Sequence, residues 1–220
     1  MQQWSVVVPA KRLSAAKTRL APLTAALGAD VPGQAELVHA DLVLALLADT
    51  VAAAGASSAV ALVLVVTDDP RAASVATGLG ARTVPDQPDD GLNAALAHGA
   101  RQARALADRP VAALSSDLPA LRPDELTAAL QAAAGCPRSV VVDAAGSGTT
   151  LLAVTGGELA PRFGAGSAAA HAAGGAVLLA GSWPGLRQDV DTPADLQAAR
   201  RLGIGPRTAG FLSAVSRSSR

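Results

Sequence analysis

Asp189 and Asp191 flank Val190, and in an extended segment residues two apart project to the same side, so both carboxylates face one way. A third, Asp117, stands in the turn Ser116-Asp117-Leu118-Pro119, just past an apolar run. Carboxylates with no Cys or His nearby are hard ligands. They suit Mg2+, which keeps several waters and takes one or two carboxylates beside phosphate oxygens. A plainer reading exists for each. Asp191 runs into Thr192-Pro193-Ala194-Asp195, the composition of a helix start with Thr192 as N-cap, and Asp117 suits a turn.

The N-terminus favours the metal reading. After Val6, Val7, Val8 and Pro9, the residues Lys11, Arg12, Lys17 and Arg19 place four cations in nine positions. Positive charge beyond the carboxyl end of a first parallel strand lies where open α/β sheets bind anionic ligands. The charge is local, because 18 basic residues balance 18 acidic ones over the chain. It points to a triphosphate.

Two glycine-rich segments suggest a second anion site. Phe163-Gly164-Ala165-Gly166-Ser167 precedes the alanine-rich stretch Ala168–Ala173, where backbone N–H groups and the Ser167 hydroxyl would meet a phosphate. Thr149 leaves the turn Gly146-Ser147-Gly148 with a second hydroxyl. The chain has no GxxxxGK[ST] and no well-placed GxGxxG, which disfavours Walker-type and dinucleotide binding.

Alternating strand-like and helix-like segments must position these groups. Strands are expected at Trp4–Val8, Ala59–Val66, Ala81–Val84, Val111–Leu114, Ser139–Val142 and Thr150–Val154. Helices are expected at Leu37–Ala54, after Pro70, at Gly91–Leu106 and at Pro123–Ala133. Such alternation predicts a single α/β domain over residues 1–212, with a mostly parallel twisted sheet flanked by helices. Residues 213–220 read as a frayed tail. With half of its 220 residues apolar, but only two Phe, two Trp and no Tyr, the core must be built from Ala, Val and Leu. Cys136 is alone, which excludes a disulfide framework or a cysteine metal cluster within the chain. The charge balance gives no field for nucleic acid or membrane. No signal-like stretch opens the chain, and its apolar runs read as too short or too interrupted to span a bilayer. A cytoplasmic protein is expected.

In order along the chain stand VVVPAKRLSAAKTRL (6–20), LVLALLADTVAAA (42–54), VVTDDP (65–70), DLPAL (117–121), GSGTTLL (146–152), FGAGS (163–167) and DVDTPADL (189–196). Through them the chain resembles the 2-phospho-L-lactate / phosphoenolpyruvate guanylyltransferases of deazaflavin coenzyme F-420 biosynthesis, over essentially all of residues 5–208. Ser147 stands where Thr is common and Leu46 where Met is common, and Pro22–Gln34 is longer than usual. The resemblance implies a nucleotidyltransferase fold similar to the molybdenum-cofactor guanylyltransferases, GTP as donor, and a three-carbon phosphorylated acid as acceptor. Carried over by motif, Asp117, Asp189 and Asp191 would hold Mg2+. Thr149, Gly164 and Ser167 would hold the acceptor, and Pro9, Ala10, Lys11, Gly91, Leu92 and Asn93 the nucleotide.

The expected reaction is in-line attack of the acceptor phosphate on the α-phosphorus, with Lys17 and Arg19 balancing charge on the leaving pyrophosphate. An ionised phosphate needs no general base. His39 and His98 read as helix-surface residues, and His171 ranks behind Thr149 and Ser167 as an acceptor contact. The compositional signature of a high-GC genome leans toward phosphoenolpyruvate over 2-phospho-L-lactate. A transient contact with a downstream transferase that takes a labile product is also expected. Two rivals stand beside this reading. Sugar-phosphate or molybdopterin nucleotidyltransferases usually carry a glycine-rich first loop, which this chain lacks. A non-catalytic nucleotide-binding protein would have no need of the three aspartates.

Overall fold

Strand β1 (Trp4–Pro9) is apolar except for Ser5 and is wholly buried, as a strand covered on both faces must be. The computed structural model describes residues 2–10 and 34–218, so Lys11, Arg12, Lys17, Arg19 and the Pro22–Gly33 stretch lie outside the described residues. β1 is followed by helix α1 (Gln34–Ala56), β2 (Val60–Val66), α2 (Pro70–Gly78), β3 (Arg82–Val84), α3 (Gly91–Leu106), β4 (Val111–Leu114) and α4 (Pro123–Ala133). The second half holds β5 (Arg138–Val142), β6 (Thr149–Val154), α5 (Ser167–Ala173), β7 (Val177–Leu178), the single-turn α6 (Pro184–Arg187), α7 (Pro193–Leu202) and α8 (Pro206–Ser218).

The seven strands form one sheet in the order β3-β2-β1-β4-β6-β5-β7. All neighbours are parallel except β6, which runs antiparallel to β4 and β5. That reversal matters for the site. It brings the amino end of β6, where Thr149 lies, to the sheet edge where β1 and β4 end.

Alternation along β1 divides the core. Trp4, Val6 and Val8 pack with Leu47 and Val51 of α1 and Leu126 and Leu130 of α4. Val7 points the other way, to Ala95, Leu96 and Ala103 of α3. Helix α3 lies close on the sheet because Gly99 faces it. A Cβ there would stand 2.5 Å from Val7 Cγ1 and 2.6 Å from Val66 Cγ2. A third cluster joins Leu42 and Leu46 of α1 to Val190, to Leu196 and Ala199 of α7, and to Phe211 and Leu212 of α8.

Three expectations are corrected. Pro9 does not lie beyond the first strand but ends it in register with Val66, since a terminal position asks no further ladder donor of it. The stretch from Ser213 is helical to Ser218, because α8 is capped and packed. The buried Asp49 of α1 accepts from Arg207 N (3.0 Å) and Thr208 N (2.8 Å), satisfying first-turn donors of α8 from a distant helix. Third, Ala35–Ala56 is long and apolar enough by length and composition to cross a membrane. It is instead the central core helix, mostly buried in the fold.

Candidate active site

The carboxyl ends of β1 and β4 open onto a cleft of about 620 Å3. Pro9 and Ala10 form its floor beside Leu46 and Leu47 of α1. Ser115, Ser116 and Asp117 continue β4 into it, and Asp189 and Asp191 line the same cleft. On the other side stand Gly148 and Thr149, with Phe163 to Ser167. The three predicted aspartates and the predicted acceptor residues Thr149, Gly164 and Ser167 therefore share one cavity. Leu92 also lines it, whereas Gly91 and Asn93 are not among its lining residues.

The aspartates are held by backbone. Leu118 N donates to Thr50 Oγ1 (2.9 Å), and Thr50 Oγ1 donates to Leu46 O (2.9 Å), which ties the Asp117 turn to α1. Val190 N donates to Asp117 O (3.1 Å), so the two aspartate-bearing segments run side by side with Val190 fully buried between them and the third cluster. The helix start after Asp191 is made by its neighbours. Thr192 Oγ1 accepts from Asp195 N, and Asp195 Oδ2 accepts from Thr192 N (2.8 Å), a reciprocal capping box. The capping duty thus falls on Thr192 and Asp195, and the Asp191 side chain faces the cleft. Among the described residues no group of three or more His, Cys, Asp or Glu forms a ready-made metal cage. The aspartates provide hard oxygen donors along a cleft wall, the partial set suited to a cation that completes its shell with water and phosphate oxygens.

The opposite wall is a lattice of loop contacts. Asp143 accepts from Ser147 N (2.9 Å) and Gly148 N (2.8 Å), and so shapes the glycine turn before Thr149. Ala168 N donates to Ser147 O (3.1 Å), tying that turn to the Phe163–Ser167 segment. Gly164 and Gly166 have φ of 129° and 70°, conformations that cost a side-chain-bearing residue, so this segment's path requires glycine there. Asn93 clasps the segment from α3. Its Nδ2 donates to Phe163 O (3.1 Å) and its Oδ1 accepts from Phe163 N (2.7 Å). Asn93 thereby fixes the path of the Phe163–Ser167 loop; sequence reasoning expected it on the nucleotide.

His171, 2 % exposed, stands behind Thr149 and not on the cleft surface. Its Nδ1 lies 3.0 Å from Thr149 Oγ1, and its Nε2 accepts from Arg162 N at 2.8 Å. Burial pushes the imidazole below the ordinary histidine value, the Arg138 and Arg162 guanidinium charges act the same way, and a hydrogen bond with the Ser167 backbone opposes them without reversing the direction. Asp143, the burial of His171 behind Thr149 and the clasp of Asn93 on Phe163 are the features of the site that sequence reasoning missed, although it had named His171 and Asn93 themselves. An Asp three residues ahead of a glycine turn was a readable signal for the first. Nothing local marks the other two.

Comparison with known proteins agrees with this geometry. The profile of the MobA-like NTP transferase domain matches residues 43–184. A protein of Geodermatophilus obscurus named phosphoenolpyruvate guanylyltransferase is 64 % identical over 99 % of this chain and 97 % of its own. One of the same name from Thermomonospora curvata is 56 % identical over 94 % and 88 %. Among solved structures, a Desulfovibrio desulfuricans protein assigned as a nucleotide-diphospho-sugar transferase superposes with a TM-score of 0.68 at 18 % identity, covering 99 % of this chain and 98 % of that one. A Mycobacterium tuberculosis protein solved in complex with manganese gives a TM-score of 0.50 at 18 % identity, covering 91 % and 97 %. These structures share the nucleotidyltransferase fold. Within the MobA-like NTP transferases, the chain belongs to the phosphoenolpyruvate guanylyltransferase family.

Proposed function

We propose that this protein transfers GMP from GTP to phosphoenolpyruvate, giving enolpyruvyl-diphospho-guanosine and pyrophosphate, as a step in deazaflavin coenzyme F-420 biosynthesis in the cytoplasm. The observation that carries this reading is one cleft lined both by Asp117, Asp189 and Asp191 and by Thr149, Ser167 and the glycine segments beside them. Such a cleft suits two anionic substrates meeting at a cation. The names of the near relatives supply the choice of GTP and phosphoenolpyruvate.

In the reaction a phosphate oxygen of the acceptor forms a bond to the α-phosphorus of GTP, and the bond from that phosphorus to the bridging oxygen of the leaving pyrophosphate breaks. No proton need be removed, since the attacking phosphate is ionised at neutral pH. Most of the work is positioning two mutually repelling anions. Asp117, Asp189 and Asp191 would hold a divalent cation, with Mg2+ our reading, which when bound supplies the neutralising charge between the substrates. A metal is also found with a distant neighbour of the same fold, as manganese. Thr149 and Ser167 bind the acceptor, with the backbone at Gly164 shaped to approach it. Pro9, Ala10 and Leu92 bound the nucleotide's side of the cleft. Lys17 and Arg19 balance charge on the departing pyrophosphate.

The test is a matrix of GTP, ATP, CTP and UTP against phosphoenolpyruvate and 2-phospho-L-lactate with Mg2+, scored by pyrophosphate release. The downstream transferase is included to trap a labile diphosphate. The expected result is release only with GTP and phosphoenolpyruvate. Preferred use of 2-phospho-L-lactate would move the acceptor assignment, and absence of release with any pair would remove the catalytic reading. A concentration-dependent gain in trapped product with the transferase, beyond free diffusion, would support a direct contact between the two enzymes.

A further inference from the structure

We infer that His171 is a positioning residue that presents the Thr149 hydroxyl to the cleft as a hydrogen-bond donor. This inference rests on the proposed use of Thr149 to bind the anionic acceptor, and it deepens that reading. The direction of the bonds follows from what each atom is able to do. A backbone N–H only donates, so at 2.8 Å from Arg162 N the His171 Nε2 is an acceptor and carries no proton. A neutral imidazole without a proton on Nε2 has it on Nδ1. Nδ1–H then faces Thr149 Oγ1, 3.0 Å away, and we take that oxygen as its acceptor over the Ser167 backbone, which also interacts with the ring, so that one lone pair of Thr149 Oγ1 is occupied.

The Thr149 proton is left to point elsewhere, and Thr149 lines the cleft. An oxyanion offers only acceptors, so the useful hydroxyl there is one whose proton is turned toward it. The arrangement is rigid on three sides. His171 is buried, its ring meets the Phe163 ring edge-on with centroids 5.3 Å apart, and Phe163 N is itself held by Asn93 Oδ1. Successive N–H groups of the loop, from Arg162 and Phe163, thus end on two side chains from different helices, His171 of α5 and Asn93 of α3. The orientation of the Thr149 hydroxyl and the path of the acceptor loop are set by the same imidazole.

The experiment has two arms. In the first, nitrogen-detected NMR on the unmodified, histidine-labelled protein at neutral pH reads the ring tautomer of His171. The expected result is the neutral form protonated on Nδ1, and an Nε2-protonated or doubly protonated ring overturns the inference. The second is a double-mutant cycle on phosphoenolpyruvate affinity by calorimetry, with His171→Gln, Thr149→Val and the pair. Loss of a bond to a charged ligand weakens affinity about ten-fold or more, so each single variant is expected to bind roughly ten-fold more weakly. The pair is expected to be no weaker than Thr149→Val alone, because His171 acts through that hydroxyl. Independent effects that multiply toward about a hundred-fold, as general loosening of the fold would give, refute it. Should His171→Gln fail to fold, the tautomer decides. Absence of phosphoenolpyruvate binding by the unmodified protein refutes the proposed acceptor instead, and the tautomer again decides the role of His171.

Discussion

Asn93 offers a direct test of whether the acceptor wall is built as described. The Asn93→Ala variant removes two hydrogen bonds, at 3.1 and 2.7 Å, that join α3 to the Phe163 backbone across 70 residues of sequence. Both bonds are neutral and half-buried, so each contributes about 1 kcal/mol net, and the loop's native path loses about 2 kcal/mol. If that path is the acceptor-competent one, its population relative to other loop states falls by at most roughly 30-fold, which bounds the rise in KM for phosphoenolpyruvate. A loop that remains mostly closed through Ala168 N–Ser147 O gives a smaller rise, so the expected range is roughly three- to 30-fold. Asn93→Asp should be worse than Ala. It keeps the acceptor for Phe163 N but sets a carboxylate against Phe163 O. The assay is initial-rate pyrophosphate release with each substrate varied against saturating partner, alongside calorimetry for each ligand. KM for GTP should change less than about three-fold. A large rise for GTP with phosphoenolpyruvate unaffected would refute the clasp and return Asn93 to the nucleotide.

Other outcomes follow from the same geometry. Asp189→Asn or Asp191→Asn should lower turnover by at least about a hundred-fold, with unchanged thermal stability and partial recovery as Mg2+ is raised, checked by metal titration of the rate. Lys17→Ala and Arg19→Ala should raise KM for GTP or slow pyrophosphate departure, and a change confined to the acceptor KM would show the two subsites reversed. Gly99→Ala drives a methyl to within 2.6 Å of Val7 and Val66, and overpacking of about 2 kcal/mol should lower Tm by roughly 4–8 °C in a calorimetric scan. Because the folded protein holds His171 below its ordinary value, its stabilising contribution is full above about pH 6.5 and is lost as pH falls through the folded value. Urea unfolding across that window should show a slope that flattens in His171→Gln.

Much of this molecule was legible in its residues because period and punctuation agreed. Gly91–Leu106 and Pro123–Ala133 are helices with the bounds expected, each opened by Gly or Pro and closed where its apolar period fails. Val111–Leu114 was clear as a short β-branched and alanine run between Pro110 and two serines. The start of α7 was readable from Thr192, Pro193 and Asp195, a local code. Contacts across long sequence distances were not readable. Nothing near Asp49 announces that its carboxylate caps a helix 158 residues later, and so the last part of α8, from Ser213, read as a frayed tail. The hydropathy of α1 likewise shows only that it must be covered, not that α2, α4, α8 and the sheet cover it. At the site, residue types and turn chemistry were enough to bring Asp117, Asp189, Asp191, Thr149 and Ser167 forward. What the residue types did not show is which partners Thr50, Asn93 and His171 bond, because a supporting hydrogen bond constrains geometry and not spacing.

The antiparallel β6 explains how the Asp117 turn and the Thr149 turn come to share one cleft. In an all-parallel sheet the neighbour of β4 would end at the cleft edge and send its chain away into a helix. Reversed, β6 begins there, so Thr149 and the turn shaped by Asp143 open directly beside the Asp117 turn, with Ser115 N bonded to Thr150 O at 2.9 Å. The Asp117 turn and the Thr149 turn are therefore joined by sheet hydrogen bonds and not by flexible loops alone. For the proposed reaction between two anions, whose barrier is largely the work of holding them in line, that connection keeps the Asp117 turn and the Thr149 turn in fixed relation to each other.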